Sequence, residues 1–186
     1  MIVSIRRARS DDAEELAAVA AETFPLACPP TTTAASIHDF ITRNLSAERM
    51  LAYLADPERV LLLATTEFGA AGYAMVVFGE PTDADVAAAV ATRPTAELSK
   101  LYVREGCHGQ GIAQLLVSAS LAEAREVGAA SMWLGVNQLN ARANRFYEKS
   151  GFEIVGTKRF LVGDRYEDDF VRELRLPRPG TVSLVD

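Results

Sequence analysis

Residues 97–116 read ELSKLYVREGCHGQGIAQLL and pass from a strand pattern through a glycine turn into a helix pattern. The strand part, residues 98–103, has the aliphatic, aromatic and β-branched side chains of a largely buried strand. Beyond the turn, apolar residues follow at i, i+3, i+4 and i+7, namely Ile112, Leu115, Leu116 and Ala119. This spacing predicts an amphipathic helix that starts near Gly109.

The turn itself carries Gly106, Gly109 and Gly111 and leads into the N-terminus of the predicted helix. Backbone N–H groups there have no intrahelical partner, the helix dipole favours anions, and glycine lets a ligand approach the backbone. The turn therefore predicts a phosphate or pyrophosphate site, although an ordinary strand-to-helix turn would show the same pattern. The P-loop and Rossmann motifs do not match, because no glycine here precedes Lys and Gln114 replaces the Gly or Ala of the fingerprint.

Two motifs resemble those of the GNAT family of N-acetyltransferases. Residues 108–113, HGQGIA, are similar to its acetyl-CoA loop [QR]-x-x-G-x-[GA], with His108 in place of Gln or Arg. About thirty residues later the pattern N-x-x-A-x-x-F-Y-E-K-x-G-F occurs at Asn140, Ala143, Phe146, Tyr147, Glu148, Lys149, Gly151 and Phe152. The motifs have the family's order and spacing, and the resemblance covers about residues 2–176.

The resemblance implies that acetyl-CoA is the co-substrate. Its phosphates would meet the backbone of the loop residues His108, Gly109, Gln110, Gly111, Ile112 and Ala113. Its pantetheine arm would lie where the strand at 98–103 splays from the strand at 132–136, on the backbone of Leu101, Tyr102 and Val103. Asn140 would hold the pantetheine or phosphate end and share a helix face with Tyr147, seven residues later.

Acetyl transfer to an amine requires a base, an oxyanion stabiliser and a proton for the leaving sulfur. By resemblance Tyr147 is the general acid, the alternative being a core tyrosine with one hydrogen bond. Glu97, at the predicted opening of its strand, is the candidate base, directly or through water, and a solvated charge is the alternative. A backbone N–H near Val103 would stabilise the oxyanion. Phe146 and Phe152 are assigned to the core.

The resemblance implies the α/β fold of the GNAT family, a central, twisted mixed sheet with helices on both faces, and the order of the predicted elements agrees with it. Before residue 97 we expect a strand, a helix ending near Phe24 before Pro25, two more helices, the second of them capped by Ser46, and a hairpin of strands 60–66 and 72–78. Residues 79–94 are expected to form a mobile loop beside the substrate opening, with a helical turn in its alanine-rich centre and few packing residues. A helix at 141–149 follows, and then strands 153–160 and 166–176, with a hairpin turn at 162–165 between them. Residues 1–176 are expected to be one domain and residues 177–186 a loosely held tail.

Composition narrows the classes of function. The chain has 186 residues, of which 49% are apolar and 24% charged, as in ordinary globular proteins. Its net charge of −6 argues against a nucleic-acid partner, and no segment predicts a membrane span, so the cytoplasm is the expected location. The two cysteines and two histidines indicate neither a disulfide framework nor a metal site.

The expected partner is a small-molecule amine. The N-terminal half loosely resembles spermidine/spermine acetyltransferases of the PaiA type, and a polyamine would need carboxylates along a groove, for which the candidates are Asp39, Glu48, Glu80, Asp83 and Asp85. A protein N-terminus or lysine, an aminoglycoside, and a non-catalytic acetyl-CoA sensor remain alternatives. Homodimers are common among proteins that resemble this chain, so a homodimer also remains open.

Overall fold

The computed structural model describes residues 2–162 and 165–177. Its strands and helices are, in chain order, β1 (Ser4–Arg7), α1 (Ala13–Ala27), α2 (Ala34–Asn44), α3 (Ala47–Ala55), β2 (Arg59–Thr66), β3 (Gly69–Phe78), α4 (Ala84–Ala89), β4 (Thr95–Val103), α5 (Ile112–Glu126), β5 (Ser131–Asn137), α6 (Ala141–Lys149), β6 (Glu153–Val162) and β7 (Arg165–Arg175). The strands lie within three residues of their predicted bounds, and α6 has the predicted bounds. The hairpin turn predicted at 162–165 includes Gly163 and Asp164, which lie outside the described residues, as does the predicted tail beyond Pro177.

The seven described strands form one mixed sheet in the order β1-β2-β3-β4-β5-β7-β6. All neighbours are antiparallel except β4 and β5, which are parallel. Their pairing covers only Thr95–Glu97 against Ser131–Trp133, so the two strands separate beyond Glu97. The mixed α/β class and the predicted splay are both confirmed.

Helices cover both faces of the sheet. On one face α5 packs with Ile112 and Leu116 against buried strand residues such as Leu134, and on the other α1 and α3 pack with Leu16 and Met50 against β2 and β3. The predicted α5 stripe is wrong at Leu115, which is 45% exposed. The buried line of α5 instead continues from Leu116 to Ser120 and Ala124, that is, at a spacing of four residues.

A β-bulge interrupts β4 at Ser99. Met75 of β3 pairs with Lys100, whereas the next residue, Val76, pairs with Leu98, so Ser99 is an extra residue in β4. Because side chains alternate along a strand, the extra residue reverses the alternation after it. Leu98 and Leu101 therefore both pack in the α5 core, while Glu97, Lys100 and Tyr102 share the opposite face, toward α1–α3.

Two helix bounds differ from the prediction for physical reasons. Helix α1 continues past Phe24 and through Pro25 to Ala27, because Phe24 is buried and its ring stacks on Phe40 with centroids 4.4 Å apart. Helix α5 begins at Ile112 and not near Gly109. Gly109 and Gly111 have φ angles of 77° and 78°, which lie in the left-handed region and cannot continue a right-handed helix.

The segment between β3 and β4 was expected to pack little, and this is wrong. It contains α4, and its Val86 and Val90 are fully buried in a small core with Trp133 and Val171. These contacts hold the segment against β5 and β7. Its expected place beside the substrate opening is also wrong, because none of its residues lines the cavity described next.

Candidate active site

A cavity of about 920 Å³ occupies the region where β4 and β5 separate. Its walls come from α1, α2, α3, β4, the glycine turn, the start of α5, β5, α6, β6 and β7. All but one of the proposed site residues line it, namely Glu97, Leu101, Tyr102, Val103, His108, Gly109, Gly111, Ile112, Ala113, Asn140 and Tyr147. The exception is Gln110, whose side-chain amide instead donates to the carbonyl of Gly106 at 3.0 Å and braces the turn.

The glycine turn leaves an open surface at the N-terminus of α5. Gly111 is the N-cap residue, and no side chain caps the helix. A Cβ atom built on Gly109 or Gly111 would meet no atom within 4 Å, so there is free space over the backbone. The first N–H groups of this 15-residue helix, beginning at Ile112, therefore lie beside the cavity without a side-chain partner, which suits a phosphate.

His108 links three elements and is more than a substitute for Gln. Its Nε2 lies 2.8 Å from the carbonyl oxygen of Val103, and its Nδ1 lies 2.9 Å from a guanidinium nitrogen of Arg142 on α6. Arginine can only donate, so Nδ1 accepts from Arg142 and Nε2–H donates to the carbonyl of Val103. Arg142 also lines the cavity. Sequence reasoning missed it, although it lies two residues after Asn140.

Asn140 and Tyr147 both face the cavity from α6. Asn140 is the N-cap residue, because its Oδ1 accepts from the backbone N–H of Ala143 at 3.0 Å, which leaves its NH₂ group for a ligand. The Tyr147 ring makes edge contacts with Phe146 and Phe152, at centroid distances of 5.3 and 5.8 Å. Burial raises the pKa of Tyr147 above its ordinary value, so the phenol keeps its proton at neutral pH.

Glu97 was predicted to open its strand, and this is wrong. It lies inside β4, as the third residue of the strand. It pairs with Val77 on one side and with Trp133 on the other, at the last paired position before β4 and β5 separate. Burial raises the pKa of the Glu97 carboxyl, and the nearby ammonium groups of Lys158 and Lys100 oppose this shift. A carboxyl of raised pKa at the mouth of the splay has the properties of a proton acceptor.

Besides Arg142, the charged cavity residues that the sequence did not indicate include Lys100, Lys158, Glu167 and Asp169. Asp169 is only 6% exposed, and burial raises its pKa to about 6 despite the opposing charge of Lys158. The Lys158 ammonium lies over the rings of Trp133 and Phe160, 5.8 and 5.5 Å from their centroids. One feature of the sequence could have indicated Glu167 and Asp169. Side chains alternate along β7, so these two residues share a strand face with Val171, which is fully buried.

The carboxylates suggested for a polyamine are placed differently. Of the five, only Asp39 lines the cavity, and it pairs with Arg43 at 2.8 Å. Glu80 pairs with Arg93, and Asp83 caps α4 by accepting from two backbone N–H groups. The remaining two, Glu48 and Asp85, are exposed on α3 and α4. A row of carboxylates along the groove is therefore not formed by these residues.

Within residues 2–162 and 165–177, no three His, Cys, Asp or Glu side chains group as they would around a metal ion. Over the same residues, the helices are too short or too polar for any of them to cross a membrane.

Comparison with known proteins agrees with this geometry. The acetyltransferase (GNAT) family pattern matches residues 20–152. An uncharacterized N-acetyltransferase of Mycobacterium tuberculosis is 49% identical over 165 residues, which are 88% of this chain and 98% of the relative. The peptidyl-lysine N-acetyltransferase YjaB of Salmonella typhimurium is 27% identical over 84% of this chain and 87% of its own length.

Among solved structures, the PaiA N-acetyltransferase of Thermoplasma acidophilum in complex with coenzyme A has the same fold. It superposes with a TM-score of 0.74 at 20% identity and covers 95% of this chain and 100% of its own. The family resemblance read from the two motifs is thereby confirmed. The chain belongs to the acetyltransferase (GNAT) family.

Proposed function

We propose that this acetyl-CoA-dependent N-acetyltransferase acetylates the primary amine of a small molecule, which enters the aromatic end of the cavity. The observation that carries the proposal is that one cavity joins the open glycine turn to the half-buried carboxyl of Glu97 and to a pocket walled by aromatic rings. Phe24 stacks on Phe40, Phe160 meets Phe40 edge-on at 5.7 Å, and Tyr102 meets Phe24 edge-on at 6.5 Å. Such walls suit the carbon chain of a small amine.

Acetyl-CoA supplies an acetyl group activated as a thioester. The backbone at Gly109, Gly111 and the start of α5 would hold its phosphates, because these N–H groups and the space above them are open. Beyond Glu97 the backbone of β4 has no partner strand on the β5 side, so Leu101–Val103 would pair with the pantetheine amides as with an added strand. Asn140 would donate from its free NH₂ group.

In the proposed reaction Glu97 removes a proton from the incoming ammonium, directly or through a water molecule, so that the amine attacks as a neutral nucleophile. The new N–C bond forms, the C–S bond breaks, and Tyr147 gives its proton to the departing sulfur. The nitrogen then loses its second proton, which returns through water to the Tyr147 phenolate. A backbone N–H near Val103 would stabilise the negative charge on the acetyl oxygen. The raised pKa values of Glu97 and Tyr147 fit these two roles, since one must accept a proton and the other must hold its own.

A second candidate acceptor is the lysine side chain of a protein, because YjaB, which is named a peptidyl-lysine N-acetyltransferase, is a distant relative. A lysine chain and a small aliphatic amine have the same chemistry at the reacting end. They differ in what surrounds them, and a peptide needs an open groove outside the cavity.

The test is the substitution Tyr147→Phe, with Tyr166→Phe on the exposed surface of β7 as a matched control. We expect the variant to lose about 100- to 10,000-fold in kcat, as is typical for loss of a general acid, with acetyl-CoA affinity almost unchanged. An unaltered kcat would exclude Tyr147 from the reaction. Turnover on lysine peptides with none on free amines would favour the second acceptor.

A further inference from the structure

Three cationic side chains surround one aromatic ring at the end of the cavity that α3 forms. Lys100, Arg49 and Arg59 lie 5.4, 5.3 and 5.1 Å from the centroid of the Tyr53 ring. The ring is held in place because its hydroxyl donates to the carbonyl of Asn44 at 3.1 Å. Tyr53 and Lys100 both line the cavity, so this cluster faces the space where the acceptor would lie.

The cluster holds more positive than negative charge. Arg59 forms an ion pair with Asp56 at 2.7 Å, whereas Lys100 and Arg49 form no ion pair with any of the described residues. Burial lowers the pKa of Lys100 to about 8. The Glu97 carboxylate partly opposes this effect, and the charges of Arg59 and Arg49 add to it. Lys100 is thus a desolvated cation near one carboxylate, Glu97, and two guanidinium groups, Arg59 and Arg49, so a second anion at this position would be attracted.

The negative charge of the cavity is concentrated elsewhere. Glu167 and Asp169 line the cavity from β7, with Lys158 of β6 near Asp169, and Glu97 is near both Lys158 and Lys100. The cavity wall thus has an acidic end on β7 and a basic end at α3. A molecule with a positive and a negative group fits this division better than a diamine, whose second ammonium would meet Lys100.

We propose that the acceptor is a zwitterion, an amine that also carries a carboxylate, and that Lys100 binds this carboxylate beside the Tyr53 ring with Arg49 adding attraction. This inference rests on the proposed function, which names a small-molecule amine. It specifies the class of that amine as amino acids and similar amino carboxylates. Lys100 acts here as a specificity residue and takes no part in proton transfer.

The experiment compares amino carboxylates, from glycine to 6-aminohexanoate, with the diamines of matching length. Initial rates with acetyl-CoA give kcat/KM for the wild type, Lys100→Met, Lys100→Arg and, as matched control, Lys149→Met on the exposed end of α6. Methionine keeps the length of the side chain and removes a desolvated charge, so folding should be preserved, and urea unfolding checks this. The binding of the best amino carboxylate to each CoA-bound protein is measured by calorimetry.

We expect the wild type to prefer the amino carboxylate at least tenfold. Lys100→Met should lower kcat/KM for it by roughly 10- to 100-fold, the usual effect of losing one charged hydrogen bond, while diamines change little. Lys100→Arg should restore much of the rate, and Lys149→Met should match the wild type. Equal losses for both substrate classes, a preference for diamines, or no binding of amino carboxylates would overturn the proposal. Turnover of diamines alone would still uphold a small-molecule acceptor, whereas turnover of peptides alone would refute that as well.

Discussion

Gly111 allows the anion site to be tested with three substitutions that differ stepwise. In Gly111→Ala, Gly111→Gln and Gly111→Glu the new Cβ meets no atom within 4 Å, so each variant has room for its side chain. All three share the same backbone strain, because φ is 78° at this position and a left-handed residue costs about 1–2 kcal/mol. Urea unfolding should therefore find the three variants destabilised by similar amounts relative to the wild type.

The pair Gly111→Gln and Gly111→Glu differs by a single negative charge. If a phosphate lies about 6 Å from that carboxylate, each unit of charge opposes binding by about 0.7 kcal/mol at the dielectric constant of water and about 3 kcal/mol at an effective value of 20. Acetyl-CoA should thus bind the Glu variant about 3- to 100-fold more weakly than the Gln variant. Calorimetry at low salt measures this ratio, and about 1 M salt should reduce it, since the Debye length then falls to about 3 Å. Equal affinities at low salt would refute phosphate binding at this turn.

Three further predictions concern the strands around the cavity. The rate should rise with pH as Glu97 ionises, with a midpoint above that of an exposed glutamate because burial raises the pKa of Glu97. In pH–rate profiles, Glu97→Gln should abolish this rise and lower kcat/KM by about 100-fold. Asp169 has a folded-state pKa of about 6 against an ordinary 3.8, so its ionisation opposes folding increasingly as the pH rises from about 4 to 6. Asp169→Asn should therefore gain stability relative to the wild type over this range, by at most about 3 kcal/mol in urea unfolding. A stability difference that does not change with pH would contradict this. A Cβ on Gly72 would lie 2.5 Å from the carbonyl oxygen of Tyr102. Gly72→Ala should therefore cost about 1–3 kcal/mol of stability and raise KM for acetyl-CoA by displacing β4. In the control Gly106→Ala the new Cβ meets no atom within 4 Å, so stability should be nearly unchanged.

The features that sequence predicted well are those set by neighbours along the chain. Ser46 caps α3 by accepting from the N–H of Arg49, and the glycine turn stops β4 and starts α5 within a few residues. The bounds of α6 were correct because Asn140 and Gly151 mark its two ends. Each of these signals acts over four or five residues, which is the range that sequence patterns describe.

The features that were missed depend on strand pairing or on burial. Nothing in the residues around Ser99 marks the bulge, which appears only when β4 is paired with β3, and without it Lys100 would be assigned to the α5 core. Asp169 and Glu48 look alike in the sequence, yet one is buried in the cavity and the other lies on the surface. The substrate end of the site was therefore harder to predict than the acetyl-CoA end, which a contiguous motif defines.

The short pairing between β4 and β5 affects the stability of the protein against proteolysis as well as catalysis. Three residue pairs connect two half-sheets, β1–β4 and β5–β7–β6, and beyond them β4 presents an unsatisfied strand edge within the fold. Acetyl-CoA bound along this edge would bind only the folded chain. At a concentration 100 times its dissociation constant, it would add about 2.7 kcal/mol to the free energy of unfolding. Resistance to proteolysis should then rise and fall with the supply of acetyl-CoA. Proteolysis of the pure protein at graded acetyl-CoA concentrations measures this dependence. Cleavage rates that do not change with acetyl-CoA concentration would show that acetyl-CoA does not bind between β4 and β5.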